Sequence, residues 1–516
     1  MNVPPFKPES IIDFTQPEHE RRMREAIERV AAQLGKEYPL VIGGEEIYTD
    51  DKLVSYNPSQ KDQVIGVFQK ATPEHVEKAL EVAWAVFKRW SRLPYEERAA
   101  VLFRAARILR ERRYELNAWM VLEAGKNWVE ADAETAELLD YFEFYGREML
   151  RYGRPQELTP LPGEANEYFY IPLGTGVVIP PWNFPAAILG GMSTAAVVTG
   201  NTILLKPSSD TPAIGYQYFK IMQEAGVPAG VINFITGSGS AIGDVLVTHP
   251  RTRFIAFTGS MEVGTRIYEL AGRVQPGQIW LKRVIAEMGG KDAIIVDRDY
   301  PDLDDAARWV AVSAFGYQGQ KCSACSRLIL DEAIYEPFLD RLVAFTEKID
   351  IGPARDNHFM GPVINQGAEQ KILEYIQIGR EEGRLLVGGE KADGPGYYIQ
   401  PTIFADVDPD ARIAQEEIFG PVLAVIKARD FDHALEIANH TIYGLTGSVF
   451  TLNREKIARA KREFHCGNLY INRKCTGAIV DVHPFGGFNM SGTDSKAGGR
   501  DYLLLFLQGK SVSERL

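Results

Sequence analysis

The chain has 516 residues, 45% of them hydrophobic and 24% charged, with a formal net charge of −12. This length predicts two or three domains, and the acidic balance, without a basic run or patch, argues against a nucleic-acid partner. Four cysteines in so long a chain do not resemble a disulfide framework, and no apolar signal core opens the sequence, so we expect a cytoplasmic protein.

The N-terminal part alternates between helical and extended patterns. Residues 16–36 and 72–150 are rich in Glu, Arg, Ala and Leu at amphipathic spacing, which predicts helices. Residues 38–68 alternate and turn like a small antiparallel sheet. Residues 186–205 lack charges, but glycines interrupt them, which favours a small-residue helix and a buried strand over a membrane span.

From residue 174 onward, short runs of Val, Ile and Phe alternate with helical patterns, and the theme repeats in the second half. This alternation predicts an α/β fold with parallel sheets and helices on both faces. Ligands in such folds bind at the carboxyl ends of the strands. The last residues, 501–516, read as an apolar strand that pairs with another part of the structure or with another subunit.

A small polar loop, residues 319–327, carries two of the four cysteines. Cys322 lies in its middle, where a substrate can reach a thiol, and the neighbouring Lys321 and Arg327 are expected to favour the thiolate. Cys322 and Cys325 also form a Cys-x-x-Cys pair, so a redox pair, half a zinc site or two ordinary thiols remain alternatives.

Three further residues lie next to predicted strands. Ser260 follows a strand and opens a helix, where backbone N–H groups suit a pyrophosphate, although an ordinary turn is equally compatible. Glu287 lies among apolar residues that would raise its pKa toward that of a general base, or it is a surface carboxylate at a turn. Asn183, in a stiff proline-rich loop, is placed to donate its amide to an oxyanion, or it simply forms the turn.

Seven motifs occur together in one order: PPWNFP, LLKPSS, FTGSMEVG, EMGGKD, GQKCSACSR, EEIFGPVL and PFGGFNMSG. Their order and spacing resemble the NAD(P)-dependent aldehyde dehydrogenase superfamily over about residues 40–510. The resemblance implies two parallel-sheet α/β domains and a small β oligomerisation arm. It assigns 1–154 and 173–288 to nucleotide binding, 289–482 to catalysis, and 155–172 and 483–516 to the arm.

The resemblance also implies the roles of the site residues. Cys322 is the nucleophile, Glu287 the general base, and Asn183 forms the oxyanion hole with the backbone N–H of Cys322. Lys206 contacts the adenine ribose, Ser260 the pyrophosphate, Glu417 the nicotinamide ribose and Phe419 the nicotinamide. The remaining expected cofactor neighbours are Pro181, Trp182, Gly259 and Gly289. No metal is expected.

A finer resemblance lies in residues 467–503, together with the cysteine loop. These residues are similar to the branch that oxidises glutamate γ-semialdehyde, the open form of 1-pyrroline-5-carboxylate, to glutamate at the end of proline degradation. The N–H groups of Gly477 and Ala478 can form an anion-binding nest for the α-carboxylate, and Ser323 can add a hydroxyl. Phe184 and Phe485 are expected to hold the aliphatic chain.

By resemblance, Glu137 lines the same pocket, with a solvated helix face as the alternative. His483 is expected to be structural. Ser209 stands where many NAD-preferring relatives have an acidic residue three positions after the ribose lysine, so we expect NAD with measurable use of NADP.

The resemblance further implies a dimer-based homo-oligomer without a membrane span, and contact with proline dehydrogenase is a further possibility. Three alternatives remain open at this point. They are a dehydrogenase for another semialdehyde such as succinate semialdehyde, a non-enzymatic binding protein on the same fold, and a Cys-x-x-Cys redox or zinc protein.

Overall fold

The structure is a computed structural model that describes residues 3–516. The predicted N-terminal helices are present, because apolar residues recur at helical spacing along them. The first helix ends earlier than expected, at Ala31, since the chain then turns into a short strand. These helices are α1 (Pro17–Ala31), α2 (Pro73–Trp90), α3 (Tyr95–Glu111), α4 (Arg113–Ala124) and α5 (Trp128–Tyr152).

The strands up to the middle of the chain are β1 (Lys36–Tyr38), β2 (Leu40–Ile42), β3 (Glu45–Ile47), β4 (Lys52–Asn57), β5 (Gln60–Gln69), β6 (Glu164–Pro172), β7 (Thr175–Ile179), β8 (Thr202–Leu205), β9 (Ile232–Phe234), β10 (Phe254–Thr258) and β11 (Arg283–Glu287). The helices among them are α6 (Ala187–Val198), α7 (Pro212–Glu224), α8 (Gly239–Thr248) and α9 (Met261–Gly272).

The second half continues the alternation. Its strands are β12 (Asp292–Val296), β13 (Cys325–Asp331), β14 (Arg384–Val387), β15 (Thr402–Ala405), β16 (Val422–Ala428), β17 (Tyr443–Gly444), β18 (Thr446–Phe450), β19 (Asn468–Ile471), β20 (Phe488–Asn489) and β21 (Leu507–Arg515). Its helices are α10 (Leu303–Phe315), α11 (Tyr335–Thr346), α12 (Gln366–Glu382), α13 (Arg412–Gln415), α14 (Phe431–Asn439) and α15 (Arg454–Glu463).

The first large sheet has seven strands in the order β11-β10-β7-β8-β9-β2-β3, parallel from β11 to β9. Side chains alternate across it: Val177 and Leu204 pack with α2 and α8, whereas Val178 and Leu205 pack in the larger core with α5 and α6. The sheet is therefore buried on both faces, as its continuous apolar strands predict.

The second large sheet also has seven strands, in the order β14-β15-β16-β13-β12-β18-β19. All its neighbours are parallel except β14 and β15. Ile295 and Ile329 face a core shared with α12 and α14, whereas Ile294 and Leu328 face α10 and α11. The prediction of an α/β fold with parallel sheets and helices on both faces is confirmed.

The expected single antiparallel sheet over residues 38–68 is only partly correct. β4 and β5 pair antiparallel, but β1 lies parallel to β5. β2 leaves this group and joins the first large sheet beside β9. Local alternation predicts a strand but not its partner, because pairing depends on contacts distant in sequence.

The predicted apolar strand at the end of the chain is wrong in its character. The apolar residues Tyr502–Phe506 form a buried 3-10 turn that joins the first core. The strand that follows, β21, is largely exposed and polar, and it pairs antiparallel with β6 along its whole length. Within residues 3–516, no helix is both long enough and apolar enough to cross a membrane.

Candidate active site

The nucleophile candidate lies in the loop that leads into β13 of the second large sheet. Cys322 precedes β13 and follows a tight turn in which Tyr317 and Gln318 have positive φ values of 51° and 57°. The Gln320 side-chain oxygen accepts the N–H of Ile364 at 2.9 Å, and this hydrogen bond ties the nucleophile loop to the segment before α12. Cys322 is half-buried, whereas the other three cysteines are buried, so it is the thiol a substrate reaches most readily.

The surroundings of Cys322 correct one expectation. Lys321 is paired with Glu130, its ammonium lying 2.7 and 2.8 Å from the two carboxylate oxygens. The Arg327 guanidinium is buried and donates to the carbonyls of Lys291, Ile437 and Ala438. The prediction that these two cations favour the thiolate is therefore wrong, because both are already engaged elsewhere.

The electrostatic effect on the thiol is in fact the opposite. Burial raises the pKa of Cys322 well above its usual range, and the carboxylates of Asp292, Glu417 and Glu287 raise it further. The surroundings of Cys322 therefore disfavour the thiolate. Attack on an electrophile requires a base that removes the proton from Sγ.

The Cys-x-x-Cys pair is not a unit in the structure. Cys325 is buried, and its thiol contacts the Arg327 carbonyl at 3.4 Å. Cys475 contacts the Ser323 carbonyl at 3.3 Å, so it ties a distant segment to the nucleophile loop. All four thiols are free, and among residues 3–516 no group of three or more His, Cys, Asp or Glu side chains is arranged to hold a metal ion.

Asn183 lies in the loop between β7 and α6 and is buried. Its side-chain amide donates to the carbonyl of Gln320 at 3.0 Å, two residues before Cys322. The amide thus points into the nucleophile loop, as a donor to an oxyanion on a Cys322 adduct would have to. This position suits an oxyanion donor better than a residue that only forms the turn.

Two residues that the sequence did not single out, Glu134 and Lys126, hold the loop between β7 and α6 that carries Asn183. A Glu134 oxygen accepts the N–H groups of Ala186 and Ala187, at 2.7 and 3.0 Å, where α6 begins. The other oxygen lies 2.8 Å from the ammonium of Lys126, and both side chains are fully buried. The Lys126 ammonium also lies 3.9 Å from the ring centre of Phe184, the residue after Asn183.

Glu287 ends β11, at the carboxyl edge of the first sheet. It is buried, which rules out the surface-carboxylate alternative. The Ser495 hydroxyl donates to one carboxylate oxygen at 2.6 Å, and the N–H of Gly487 donates to the other at 3.1 Å. Burial raises the pKa of Glu287 to about 7, although these hydrogen bonds lower it. A carboxylate with this pKa suits a general base near neutral pH.

Several expected cofactor residues also lie where strands of the first sheet end. Lys206 directly follows β8 and is buried; its ammonium has one contact, 3.5 Å from the Pro207 carbonyl, and burial lowers its pKa to about 8. The Ser209 hydroxyl lies 3.4 Å from the Gly237 carbonyl. Ser260 caps α9 by accepting the N–H of Val263 at 3.3 Å, and its side chain is exposed.

The other cofactor candidates lie in loops next to strands of both large sheets. Glu417 accepts the N–H of Gly290 at 3.0 Å, and a Cβ at Gly289 would lie 2.2 Å from its carboxylate. Phe419 has a φ of 60°. Its ring packs edge-on against that of Trp182, with 5.4 Å between the ring centres, and Pro181 directly precedes Trp182 in sequence. The N–H of Gly259 donates to the Glu287 carbonyl at 3.1 Å.

A cavity lies between Glu417 and Phe419 on one side and the nucleophile loop on the other, and Cys322 itself is not among the residues that line it. Its lining includes Gly290, Gly319, Lys321, Glu417 and Phe419. The predicted nicotinamide contacts and the predicted nucleophile loop thus border the same space.

The substrate candidates fall into two groups. Ser323 is buried, and the ring of Phe184 meets that of Tyr317 edge-on at 6.5 Å. Glu137 is half-buried and accepts the Tyr141 hydroxyl at 3.2 Å, while burial and the charge of Glu134 raise its pKa to about 8. The alternative of a solvated helix face is therefore wrong for Glu137.

The second group lies after β19. Gly477, with a φ of 76°, and Ala478 follow Cys475, the residue that contacts Ser323. Phe485 is half-buried and exchanges backbone hydrogen bonds with Ala497; it lies two residues before Gly487, whose N–H donates to Glu287. His483 lies 3.2 Å from an Nη atom of Arg473 and accepts the N–H of Ile479.

Comparison with known proteins places this arrangement in a family. The model of the aldehyde dehydrogenase family matches residues 47–512. A protein of Geobacillus thermodenitrificans named 1-pyrroline-5-carboxylate dehydrogenase is 60% identical over 99% of both chains.

Solved structures agree with this match. A 1-pyrroline-5-carboxylate dehydrogenase from Thermus with bound NAD has a TM-score of 0.99, 54% identity and full coverage of both chains. Proline utilization A from Bdellovibrio bacteriovorus has a TM-score of 0.97 and 44% identity; the match covers this whole chain and 54% of that one. The chain belongs to the aldehyde dehydrogenase family.

Proposed function

We propose that this protein oxidises L-glutamate γ-semialdehyde, the open form of 1-pyrroline-5-carboxylate, to L-glutamate with NAD(P)+, as the last step of proline degradation. Two observations on the loop of Cys322 carry the proposal: the Asn183 amide donates to the Gln320 carbonyl in it, and the charge of Glu287 acts on the Cys322 thiol. The segment of Gly477 and Ala478 is tied to the residue after Cys322 by Cys475. The 60% identity to a relative of that name supports the choice of aldehyde.

The proposed chemistry begins with the protonated thiol. Glu287, whose charge is among those that raise the pKa of Cys322, has a pKa of about 7 and can take the proton from Sγ. The thiolate adds to the aldehyde carbon and forms a thiohemiacetal. Its oxyanion is stabilised by the amide of Asn183 and the backbone N–H of Cys322. Glu417 and Phe419 would hold a nicotinamide ring at this site, and its chemistry would be to take up the hydride that leaves the carbon as the C=O bond re-forms.

The resulting thioester on Cys322 is then hydrolysed. Glu287 takes a proton from the attacking water, the new C–O bond forms, and the C–S bond breaks to release the carboxylate product. The same carboxylate thus serves twice, and each use requires its ionised form, so the proton taken from Sγ passes to water before hydrolysis begins. The pKa of about 7 keeps a large fraction of Glu287 ionised at neutral pH while leaving it basic enough to accept a proton.

The residues present fit a nicotinamide dinucleotide. The buried ammonium of Lys206 has one weak contact at 3.5 Å and suits ribose hydroxyls. Gly289 leaves room beside Glu417 that a Cβ would fill, and α9 begins after Gly259 with its N-terminus toward the strand ends. We propose NAD as the main cofactor and measurable use of NADP, because Ser209 carries no charge that would repel a 2′-phosphate.

We also propose the assembly and division of the chain that the resemblance implies: residues 1–154 and 173–288 bind the nucleotide, 289–482 carry the nucleophile, and 155–172 with 483–516 form the arm of a dimer-based homo-oligomer. The exposed ribbon of β6 and β21 supports this arm. The match to part of proline utilization A supports a contact with proline dehydrogenase, and we propose a cytoplasmic location.

The decisive experiment is NADH formation with 1-pyrroline-5-carboxylate, succinate semialdehyde and short unsubstituted aldehydes. We expect the highest kcat/KM for 1-pyrroline-5-carboxylate, and a higher value for succinate semialdehyde would overturn the proposal. Cys322→Ala should lose turnover while it still binds NAD, measured by quenching of protein fluorescence. Cys466→Ala, at a buried thiol for which we propose no role, is the matched control and should retain activity.

A further inference from the structure

The turn that carries Gly477 and Ala478 is fastened by one arginine. An Nη atom of Arg473 donates to the carbonyl of Thr476 at 3.0 Å and to the carbonyl of Gly477 at 3.3 Å. The same guanidinium lies 4.4 Å from the ring centre of Tyr470. The guanidinium of Arg473 therefore packs on the ring of Tyr470 and also binds two successive carbonyls of the turn.

This fastening determines where the amides point. In a trans peptide the C=O and N–H groups point in opposite directions, and both peptides here are trans. Since the carbonyls of Thr476 and Gly477 converge on Arg473, the N–H groups of Gly477 and Ala478 both point away from the guanidinium. Within the part of the chain that the structure describes, neither N–H has an acceptor. Two adjacent free N–H groups on one side of a turn form an anion-binding concavity.

A cation stands beside the same turn. The Lys474 ammonium would lie 3.3 Å from a Cβ placed on Gly477. Among the described residues it has no ion pair or hydrogen-bond partner, whereas the nearby Lys321 is neutralised by Glu130. Lys474 is partly desolvated, and burial together with the charge of Lys321 lowers its pKa. An uncommitted, half-buried ammonium gains most when an anion binds next to it.

The turn is also tied to the reacting centre. Cys475, between Lys474 and the turn, contacts the carbonyl of Ser323 at 3.3 Å. Ser323 directly follows Cys322, so the free N–H groups lie on a segment whose position relative to the nucleophile is fixed. This arrangement fits an aldehyde whose other end carries an anion.

We propose that Arg473 is a positioning residue that turns the N–H groups of Gly477 and Ala478 toward the substrate, and that Lys474 supplies the charge that binds the remote carboxylate. This inference rests on the proposed function and adds two residues to its specificity. Arg473 does not touch the substrate; it acts through the two peptides that it holds. Lys474 acts directly on the carboxylate.

The test compares two substrates in Arg473→Ala, Arg473→Lys and Lys474→Met: 1-pyrroline-5-carboxylate, and pentanal, which has no carboxylate. With 1-pyrroline-5-carboxylate, we expect KM to rise about tenfold or more in Arg473→Ala and Lys474→Met, with kcat within about threefold of the original. With pentanal, both constants should be unchanged. Arg473→Lys keeps the charge but not the fork of donors, so its KM should be intermediate.

The matched control is Arg500→Ala. Arg500 is an exposed arginine that pairs with Asp481 at 3.3 Å, and its removal should leave kcat and KM unchanged for both substrates. A parallel loss with pentanal in the Arg473 variants would mean a merely structural role and would overturn the inference, as would an unchanged KM for 1-pyrroline-5-carboxylate. If the unmutated protein does not prefer 1-pyrroline-5-carboxylate to pentanal, the proposed function fails instead, so the two failures are distinguishable.

Discussion

Removing the Glu134 side chain should both destabilise the protein and slow its chemistry. Glu134→Ala leaves the N–H groups of Ala186 and Ala187 without their acceptor, and Lys126 buried without its carboxylate. Breaking one partner of a buried ion pair costs about 3–5 kcal/mol. Because a native protein is stable by only about 5–15 kcal/mol, the free energy of unfolding should fall by a large fraction.

The catalytic consequence follows from the position of α6. Asn183 lies three residues before Ala186, and its amide points at the nucleophile loop. Complete loss of an oxyanion donor reduces kcat by about 100- to 1000-fold. The decrease in kcat should be smaller than this in Glu134→Ala, because Asn183 is displaced and not removed. We therefore expect a lower kcat for Glu134→Ala, because the loop that carries Asn183 loses its anchor at Ala186 and Ala187.

The assays are urea unfolding followed by fluorescence, and a single-turnover measurement of NADH release. Glu134→Gln keeps an oxygen that can accept the two N–H groups, so its kcat should exceed that of Glu134→Ala. The double variant Lys126→Met, Glu134→Leu removes both buried charges and should regain much of the lost stability. A Glu134→Ala protein within about 1 kcal/mol of the original would refute the reasoning, because that loss is typical of an exposed pair.

Four further predictions concern the remaining site. Glu287→Gln should slow thioester formation and abolish thioester hydrolysis, and in the unmutated protein hydrolysis should rise with pH through about 7, since the ionised form is the base; a flat profile between pH 6 and 8 would contradict this. Alkylation of the native protein should modify Cys322 alone, at a rate that still rises above about pH 9 because its pKa is raised; a plateau near neutrality would show a thiolate instead. Ser209→Glu should raise KM for NADP much more than for NAD, and complete inactivity of the unmutated protein with NADP would refute the role of Ser209. Deletion of residues 508–516 should lower the oligomer mass in light scattering, because it removes most of β21; an unchanged mass would exclude the proposed arm.

The sequence predicts the element types well and their partners poorly. The alternation of apolar runs and helical patterns specifies parallel sheets, since strands buried on both faces must be apolar throughout. It does not specify that β2 joins β9 or that Tyr502–Phe506 forms a buried turn, because both depend on distant contacts. The error over Lys321 and Arg327 has the same origin: adjacency in sequence does not reveal which way a side chain points.

Some residues of the candidate site could be located from the sequence, and others only from the structure. Family motifs locate Cys322, Asn183 and Glu287, because the chemistry restricts the residue types at those positions. Lys126 and Glu134 carry no such motif, and only packing brings their side chains to α6. The apolar neighbours of Glu287 in sequence predict that its pKa is raised, but the raised pKa of Cys322 contradicts the sequence prediction, because burial is its largest cause.

The hydrogen bonds to Glu287 have a consequence for how specificity can change. The groups that hold this base, Gly487 and Ser495, belong to the same stretch of chain that begins with the turn at Gly477. One segment thus carries both the proposed recognition of the aldehyde and the tuning of the hydrolytic base. Grafting residues 476–498 from a relative with another substrate would therefore exchange acceptance and deacylation rate together, and a new specificity obtained in this way would arrive with an altered pH profile.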